Sequence, residues 1–351
     1  MVRELIVDGF TINDESDCYV IAEIGHNHQG DIEKAKQLFR NAKECGVNAV
    51  KLQKRDNPTL FTKEMFASSY ENRNSYGGTY GTHREALEFG REEYEELFRY
   101  CGELGVTFFS TAFDFVSADF LEDLDAPAYK IASGDLSNTP LLKYVAQFQK
   151  PMFVSTGGGS MEDVVRAYET VMPINPNLCL MQCTAGYPAE FEELNLRVIE
   201  TYRERFPDNV IGLSSHDNGI AMALVAYVIG ARVIEKHFTL NRSLKGSDHA
   251  FSMESNGMRR VVRDIRRARV ALGDGQKRRY ESEESPLYKM SKKLVATRSL
   301  PGGHVLQEGD VCLKSPGDGL PPYELENLIG KEIVRPIEED ESIMREDVRD
   351  A

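Results

Sequence analysis

The 351-residue chain carries 56 acidic against 42 basic side chains, a formal net charge of −14. That balance repels phosphates and argues against nucleic acid or an anionic membrane surface as a partner. Apolar residues make up 41% of the chain, enough for a large buried core; no apolar run is long enough to span a bilayer, and no basic start leads into an apolar signal core.

From residue 19 onward, short β-branched or aromatic runs alternate with longer amphipathic stretches. The runs are 19–24, 49–53, 107–112, 128–132, 152–156, 178–184, 211–215 and 232–239. Between the first two, DIEKAKQLFRNAKECG places its apolar residues on one helical face, and Gly46 marks the stop. Eight repetitions of strand and helix predict an α/β fold, a closed parallel (β/α)8 TIM barrel. Residues 57–88, rich in Tyr, Gly, Asn and Ser, are too long for a plain connection and are expected to form a lid or wall. Near residue 271 the alternation stops. GDGQKRRYESEESP is polar, charged and ends in proline, so the chain divides into a barrel over 1–277, a linker over 278–290 and a small β-rich domain over 291–351. Strands at 293–297 and 311–314 are expected in the last piece. The six cysteines show neither zinc-type pairs nor a disulfide spacing, which points to a reducing cytoplasm.

Side chains at the C-terminal ends of barrel strands converge on one mouth. Those ends offer Glu23, Lys51 with Gln53, Lys130 with Ser133 and Asp135, Ser155, Tyr187, Ser214 with His216, and Glu235 with His237. A lysine within an apolar strand is costly unless it meets an anion, although its stem can also lie along the wall with the head in water. As a pair at matching strand ends, Lys51 and Lys130 favour a bound phosphate or carboxylate. His216 and His237 close consecutive strands, where two imidazoles reach one cation; two protein ligands leave positions open, as a catalytic ion requires. His26 and His28, in the first loop, are expected either to shape that loop or to support the site's residues from behind, rather than to bind the cation. The Ser155–Ser160 glycine turn offers backbone N–H groups to a phosphate, or merely reverses the chain. Cys183 reads as a buried barrel residue with no base beside it.

In order and spacing, AEIGHNHQG, VKLQ, YKIASGD, VSTGG, CTAGYP, GLSSH, IEKHFT and SLKGSDHAFSM resemble the sialic acid synthase family. VCLKSPGDGLPP and LIGKEI resemble its C-terminal antifreeze-like (SAF, β-clip) domain. The resemblance implies a barrel that binds phosphoenolpyruvate and condenses it with an aldose. It also implies a homodimer in which each small domain covers the partner's barrel mouth. By resemblance, Lys51, Lys130, Ser133 and Ser155 hold phosphoenolpyruvate with help from Ser214, and His216 and His237 bind manganese or magnesium. Glu23 matches the catalytic carboxylate, and Gln53, Asp135, Tyr187 and Asp248 match positions around the aldose; Glu23, Lys51, Lys130 and Asp135 form the expected catalytic set. Ala185 stands where many members have asparagine, Asp135 where many have glutamate and Ser215 where acid or glycine is usual. Ser315 replaces an arginine that reads the sugar's N-acyl group across the dimer, a role left to Lys314 or Lys292. CTAGYP looks closer to the legionaminic, pseudaminic and spore-coat branches. The rival readings are an octulosonate or heptulosonate phosphate type of condensing enzyme, for which no second phosphate site is evident, and a non-catalytic carbohydrate-binding protein.

Overall fold

The computed structural model describes residues 3–351. It opens with a hairpin that the alternation did not disclose: β1 (Glu4–Val7) and β2 (Phe10–Asn13) pair antiparallel. Asp8 and Gly9 turn between them with φ of 48° and 77°, the left-handed pair that a two-residue hairpin loop needs and that an Asp-Gly step supplies.

The eight expected strands are all present: β3 (Tyr19–Gly25), β4 (Ala49–Lys54), β5 (Thr107–Ala112), β6 (Tyr129–Ile131), β7 (Met152–Ser155), β8 (Leu178–Cys183), β9 (Val210–Ser215) and β10 (Val233–His237). They pair in parallel, each with its neighbour in sequence, and β10 closes on β3. The main helices packed outside are α1 (Ile32–Glu44), α5 (Arg91–Leu104), α6 (Phe115–Asp123), α7 (Thr139–Ala146), α8 (Met161–Val171), α9 (Val198–Arg205), α10 (Ala221–Val228) and α11 (Ser255–Leu272). Between β4 and β5 lie three short ones, α2 (Asn57–Leu60), α3 (Lys63–Ala67) and α4 (Tyr80–Glu85), so the long excursion is partly helical. Helix α1 shows why the local sequence suffices. Asp31 accepts from the N–H groups of Glu33 and Lys34, and Ala35, Leu38, Phe39 and Ala42 form the buried stripe.

Two apolar layers result. One lies between strands and helices. The other fills the barrel interior at the N-terminal ends of the strands, where Tyr19, Phe109 and Phe153 pack with Leu5, Val7 and Ile12 of the hairpin. The hairpin thus closes the end opposite the mouth.

The chain separates into two units, Met1–Gly273 and Asp274–Ala351. In the second, residues read as linker contain α12 (Glu284–Met290). Its Pro286 falls in the first turn, where a backbone N–H has no helical partner to lose, so the proline does not break it. The β-rich part holds β11 (Lys293–Ala296) paired with β12 (Val311–Lys314), the one-turn α13 (Leu325–Leu328), and β13 (Glu332–Ile333) paired with β14 (Val348–Arg349). They surround a small core of Leu294, Ala296, Leu300, Leu306, Ile333, Ile337 and Ile343.

Candidate active site

The C-terminal strand ends enclose a cavity of about 580 Å³. Glu23, Lys51, Gln53, Lys130, Ser133, Ser155, Tyr187, Ser214, His216, His237 and Asp248 all line it. Asp135 does not: it lies in a one-turn helix after β6 and accepts a hydrogen bond from Asn138 at 3.0 Å.

Both strand lysines are buried, 2% and 3% exposed, and protein groups already meet their charge. Lys51 Nζ lies 2.5 Å from Glu23 Oε2 and 3.9 Å from Glu235 Oε2, and donates to Thr111 Oγ1 at 2.8 Å. Lys130 Nζ donates to Ser155 Oγ at 2.6 Å and lies 4.0 Å from Glu235 Oε1. An anion from outside is therefore not needed to justify either lysine, and Glu235, noted at its strand end without a role, links the two across the barrel. Burial and the neighbouring Glu235 push Glu23 up to about 7 against the pull of Lys51. For Glu235 burial works in the same direction, but Lys51 and Lys130 prevail and hold it down at about 2. The cluster thus contains one carboxylate that keeps its charge and one that exchanges its proton near neutrality.

Two glycines let the chain pass close by. Gly25 takes φ of +52° at a register shift in β3, and a Cβ there would lie 3.2 Å from both Gln53 Nε2 and Glu23 Oε1. A Cβ on Gly157 would meet Ser133 Oγ at 2.8 Å; its N–H instead donates to that oxygen at 3.0 Å. The glycine turn thereby positions Ser133 at the edge of the cavity.

His216 and His237 face each other with ring centroids 5.3 Å apart, and Tyr187 packs on His216 at 4.1 Å. His216 Nδ1 lies 3.0 Å from Thr184 O, the contact of an N–H donor, which leaves Nε2 with a lone pair. His237 Nδ1 is buried without a hydrogen-bond partner, and burial lowers its pKa, favouring the neutral, ligating form. These features fit a divalent ion held by two imidazoles. Among the described residues no group of three or more His, Cys, Asp or Glu has metal-ligand geometry, so water or substrate would supply the remaining positions.

Cys183 is buried, as the sequence reading had it. Its Sγ is 4.0 Å from His216 Nδ1, whose N–H is directed at Thr184 O and so is no base for it, and 3.4 Å from Ser133 Oγ; although burial raises the thiol, these neighbours hold it below its ordinary value. The cavity wall also includes Thr111, His26, Arg55 and Arg84, none of which was singled out as a substrate contact. Arg55 stands one residue past β4 and was within reach of the strand-end rule; Arg84 lies in the aperiodic excursion, where no local signal marks it. In the second unit, Lys292 donates to Ser315 Oγ at 2.6 Å, while Lys314 is paired with Asp340.

Residues 38–277 match the NeuB family, and 293–349 the SAF domain. Human N-acetylneuraminate-9-phosphate synthase is 40% identical over 96% of this chain and 94% of its own. N,N'-diacetyllegionaminic acid synthase of Legionella pneumophila is 36% identical over 90% of each. Whole-chain identity therefore does not favour the legionaminic, pseudaminic and spore-coat branches to which CTAGYP looks closer. The crystal structure of N-acetylneuraminic acid (sialic acid) synthetase from Leptospira borgpetersenii superposes with a TM-score of 0.72 at 27% identity, covering 82% of this chain and 95% of that one. With a family match spanning most of the barrel and relatives aligned nearly end to end, the chain belongs to the NeuB family, a sialic-acid-synthase-type enzyme with a C-terminal SAF domain.

Proposed function

We propose that this enzyme condenses phosphoenolpyruvate with the open-chain aldehyde of an N-acylated aldose, giving a nine-carbon 2-keto acid and phosphate. The observation that carries this reading is the buried row Glu23–Lys51–Glu235–Lys130–Ser155 in the same cavity as the facing histidines. With Glu23 protonated, the two lysines outnumber the one remaining carboxylate, leaving net positive charge for the phosphate and carboxylate of phosphoenolpyruvate. Lys51, Lys130, Ser133 and Ser155 hold that substrate, with Ser214, which donates to Glu235 at 2.9 Å, fixing the carboxylate between the lysines. Gln53, Tyr187 and Asp248 orient the aldose, and Asp135 supports that wall from behind the lining. A Mn2+ or Mg2+ ion bound by His216 and His237 would polarise the aldehyde as a Lewis acid.

C3 of the enol ether attacks the aldehyde carbon, forming the new C–C bond while the aldehyde oxygen takes up the proton that Glu23 carries. Water then adds at C2, Glu23 taking back one of its protons, and the C2–O bond to phosphate breaks, the second water proton leaving with phosphate and the ketone remaining. The pairing of two chains, each SAF domain covering its partner's mouth, belongs to the same reading and rests on the family resemblance. A reducing cytoplasm does too, in keeping with six unpaired cysteines.

Relatives named for a 9-phosphate product and for legionaminic acid differ in the sugar they act on, so the aldose must be tested directly. Phosphate release from phosphoenolpyruvate, followed over a panel of N-acylated aldoses with and without chelator, decides the matter. Aldose-dependent, chelator-sensitive release supports the proposal; phosphate release with no dependence on any aldose contradicts it.

A further inference from the structure

We propose that the buried ion pair Lys236–Asp217 is a positioning device for the two histidines: it fixes the separation of the strand ends that carry His216 and His237, and so sets the affinity for a divalent ion there. The inference deepens the two-histidine reading and rests on it.

The pair's place in the chain is the first observation. Lys236 is the residue before His237, and Asp217 is the residue after His216. Side chains alternate along a strand, so Ser214 and His216, like Glu235 and His237, line the cavity, while Ser215, Asp217 and Lys236 do not. All three are nevertheless buried, Lys236 at 2% and Asp217 at 1% exposed.

Backbone pairing leaves a gap that the ion pair spans. His237 is held within the sheet, in register with Glu23 of β3. On the other side, the register between β10 and β9 ends where Lys236 meets Ser215, so His216 stands one residue past the last paired position. There the lysine takes over from the ladder. Its Nζ donates to Asp217 O and to Asp217 Oδ1, both at 2.8 Å. The residue next to one histidine thus grips both the main chain and the side chain of the residue next to the other. Ser215 Oγ donates to the same carboxylate oxygen and keeps the aspartate turned toward the lysine. His216 has two further anchors, Thr184 O against its ring at 3.0 Å and the Ala189 N–H donating to its carbonyl at 3.3 Å. Both come from the segment after β8, and neither ties it to β10.

Packing alone does not call for two charges in this place. Desolvating a lysine and an aspartate is costly, and apolar side chains of similar volume fill such a position at least as well. Asp217 Oδ2 is buried without a hydrogen-bond partner, so the carboxylate is not even fully satisfied. What hydrogen bonds supply, and apolar contact does not, is direction: two bonds from one ammonium hold the Asp217 main chain at a set distance from β10. Two ligands on separate strands bind one ion tightly only when their separation is held before the ion arrives.

The test uses the full chain and Mn2+ alone. Lys236→Met by itself leaves a buried carboxylate uncompensated, so the main variant is Lys236→Met combined with Asp217→Leu, titrated calorimetrically where circular dichroism shows it folded. It should bind Mn2+ about 10- to 100-fold more weakly than wild type, the scale of changes made behind metal ligands. Ser215→Ala, which keeps both charges, should weaken binding by a smaller factor. The Mn2+ concentration giving half-maximal aldose-dependent phosphate release should rise in step, with kcat recovered at saturating Mn2+, a pattern that a pair serving only the fold would not give. A folded double variant with wild-type Mn2+ affinity and only a lowered melting temperature overturns the proposal. If the double variant does not fold, Ser215→Ala decides by the same titration, and an unaltered affinity counts against the pair. Wild type that binds no Mn2+ overturns the two-histidine reading along with this one. Wild type that binds Mn2+ but releases phosphate with no aldose contradicts the condensation reading alone, and the calorimetric comparison still judges the ion pair.

Discussion

Glu23 and Glu235 share one buried charge cluster yet titrate in opposite directions: burial raises both, but Glu235 has Lys51 at 3.9 Å and Lys130 at 4.0 Å, while among the described residues Glu23 has only Lys51 as a cation within 4 Å and is repelled by Glu235. The raised value of Glu23, about 7, means that it is protonated below that pH and ionised above it. Since the proposed cycle starts from the protonated form, kcat at saturating substrates should fall about tenfold per pH unit above that point. A kcat that stays flat from pH 6 up to pH 9 would remove Glu23 from that role. Lys130→Met should raise KM for phosphoenolpyruvate far more than KM for the aldose. It should also lower stability by roughly 3–5 kcal/mol by leaving a buried carboxylate short of a partner. The double change Lys130→Met with Glu235→Gln should recover much of the melting temperature but none of the activity, which separates the structural from the substrate-binding contribution. His216→Ala should abolish Mn2+ binding in a calorimetric titration; undiminished turnover by this variant in the presence of chelator would sink the two-histidine assignment. The lysines and histidines were legible because each lies within, or just past, one of the eight strand runs. The partnership of Lys51 and Lys130 with Glu235 was not, since it crosses the barrel.

Among the elements, the N-terminal hairpin does for the lower end of the barrel what the polar side chains do for the mouth: it fills it. Ile12 is fully buried against the strand starts. Ile12→Ala should therefore cost about 2–5 kcal/mol, read as a lowered melting temperature, with kcat/KM almost unaltered at temperatures where the protein stays folded. A loss of activity without loss of stability would mean that the hairpin reaches the mouth. The Asp8–Gly9 step is a recognisable hairpin signal, but two four-residue strands fall below what an alternation of strands and helices detects. The excursion between β4 and β5 was illegible for a different reason. Its helices are four to six residues long and are fixed by side-chain caps such as Asp56, Thr62 and Thr79 instead of an apolar stripe. Length alone identified it as a wall, and length says nothing of which side chain faces inward.

For the molecule as a whole, the two units have separate apolar cores, so each has the means to hold its own structure. A chain ending at Gly273 should keep the circular dichroism of an α/β barrel but lose turnover if the SAF domain completes a partner's site; normal turnover by that barrel would refute the shared-site arrangement. The sequence by itself determined the eight strands, their order, the change to a small β-rich module and most of the mouth residues. It could do so because strand periodicity, caps and the right-handed parallel crossover are local properties, and closing eight such units puts every strand end on one rim. Tertiary structure alone decided that Asp135 is not among the cavity-lining residues, that one carboxylate serves two lysines, and that Arg55 and Arg84 meet at His26. Those facts depend on distances between segments far apart in the chain, and on burial, which sets how strongly the charges gathered there act on one another.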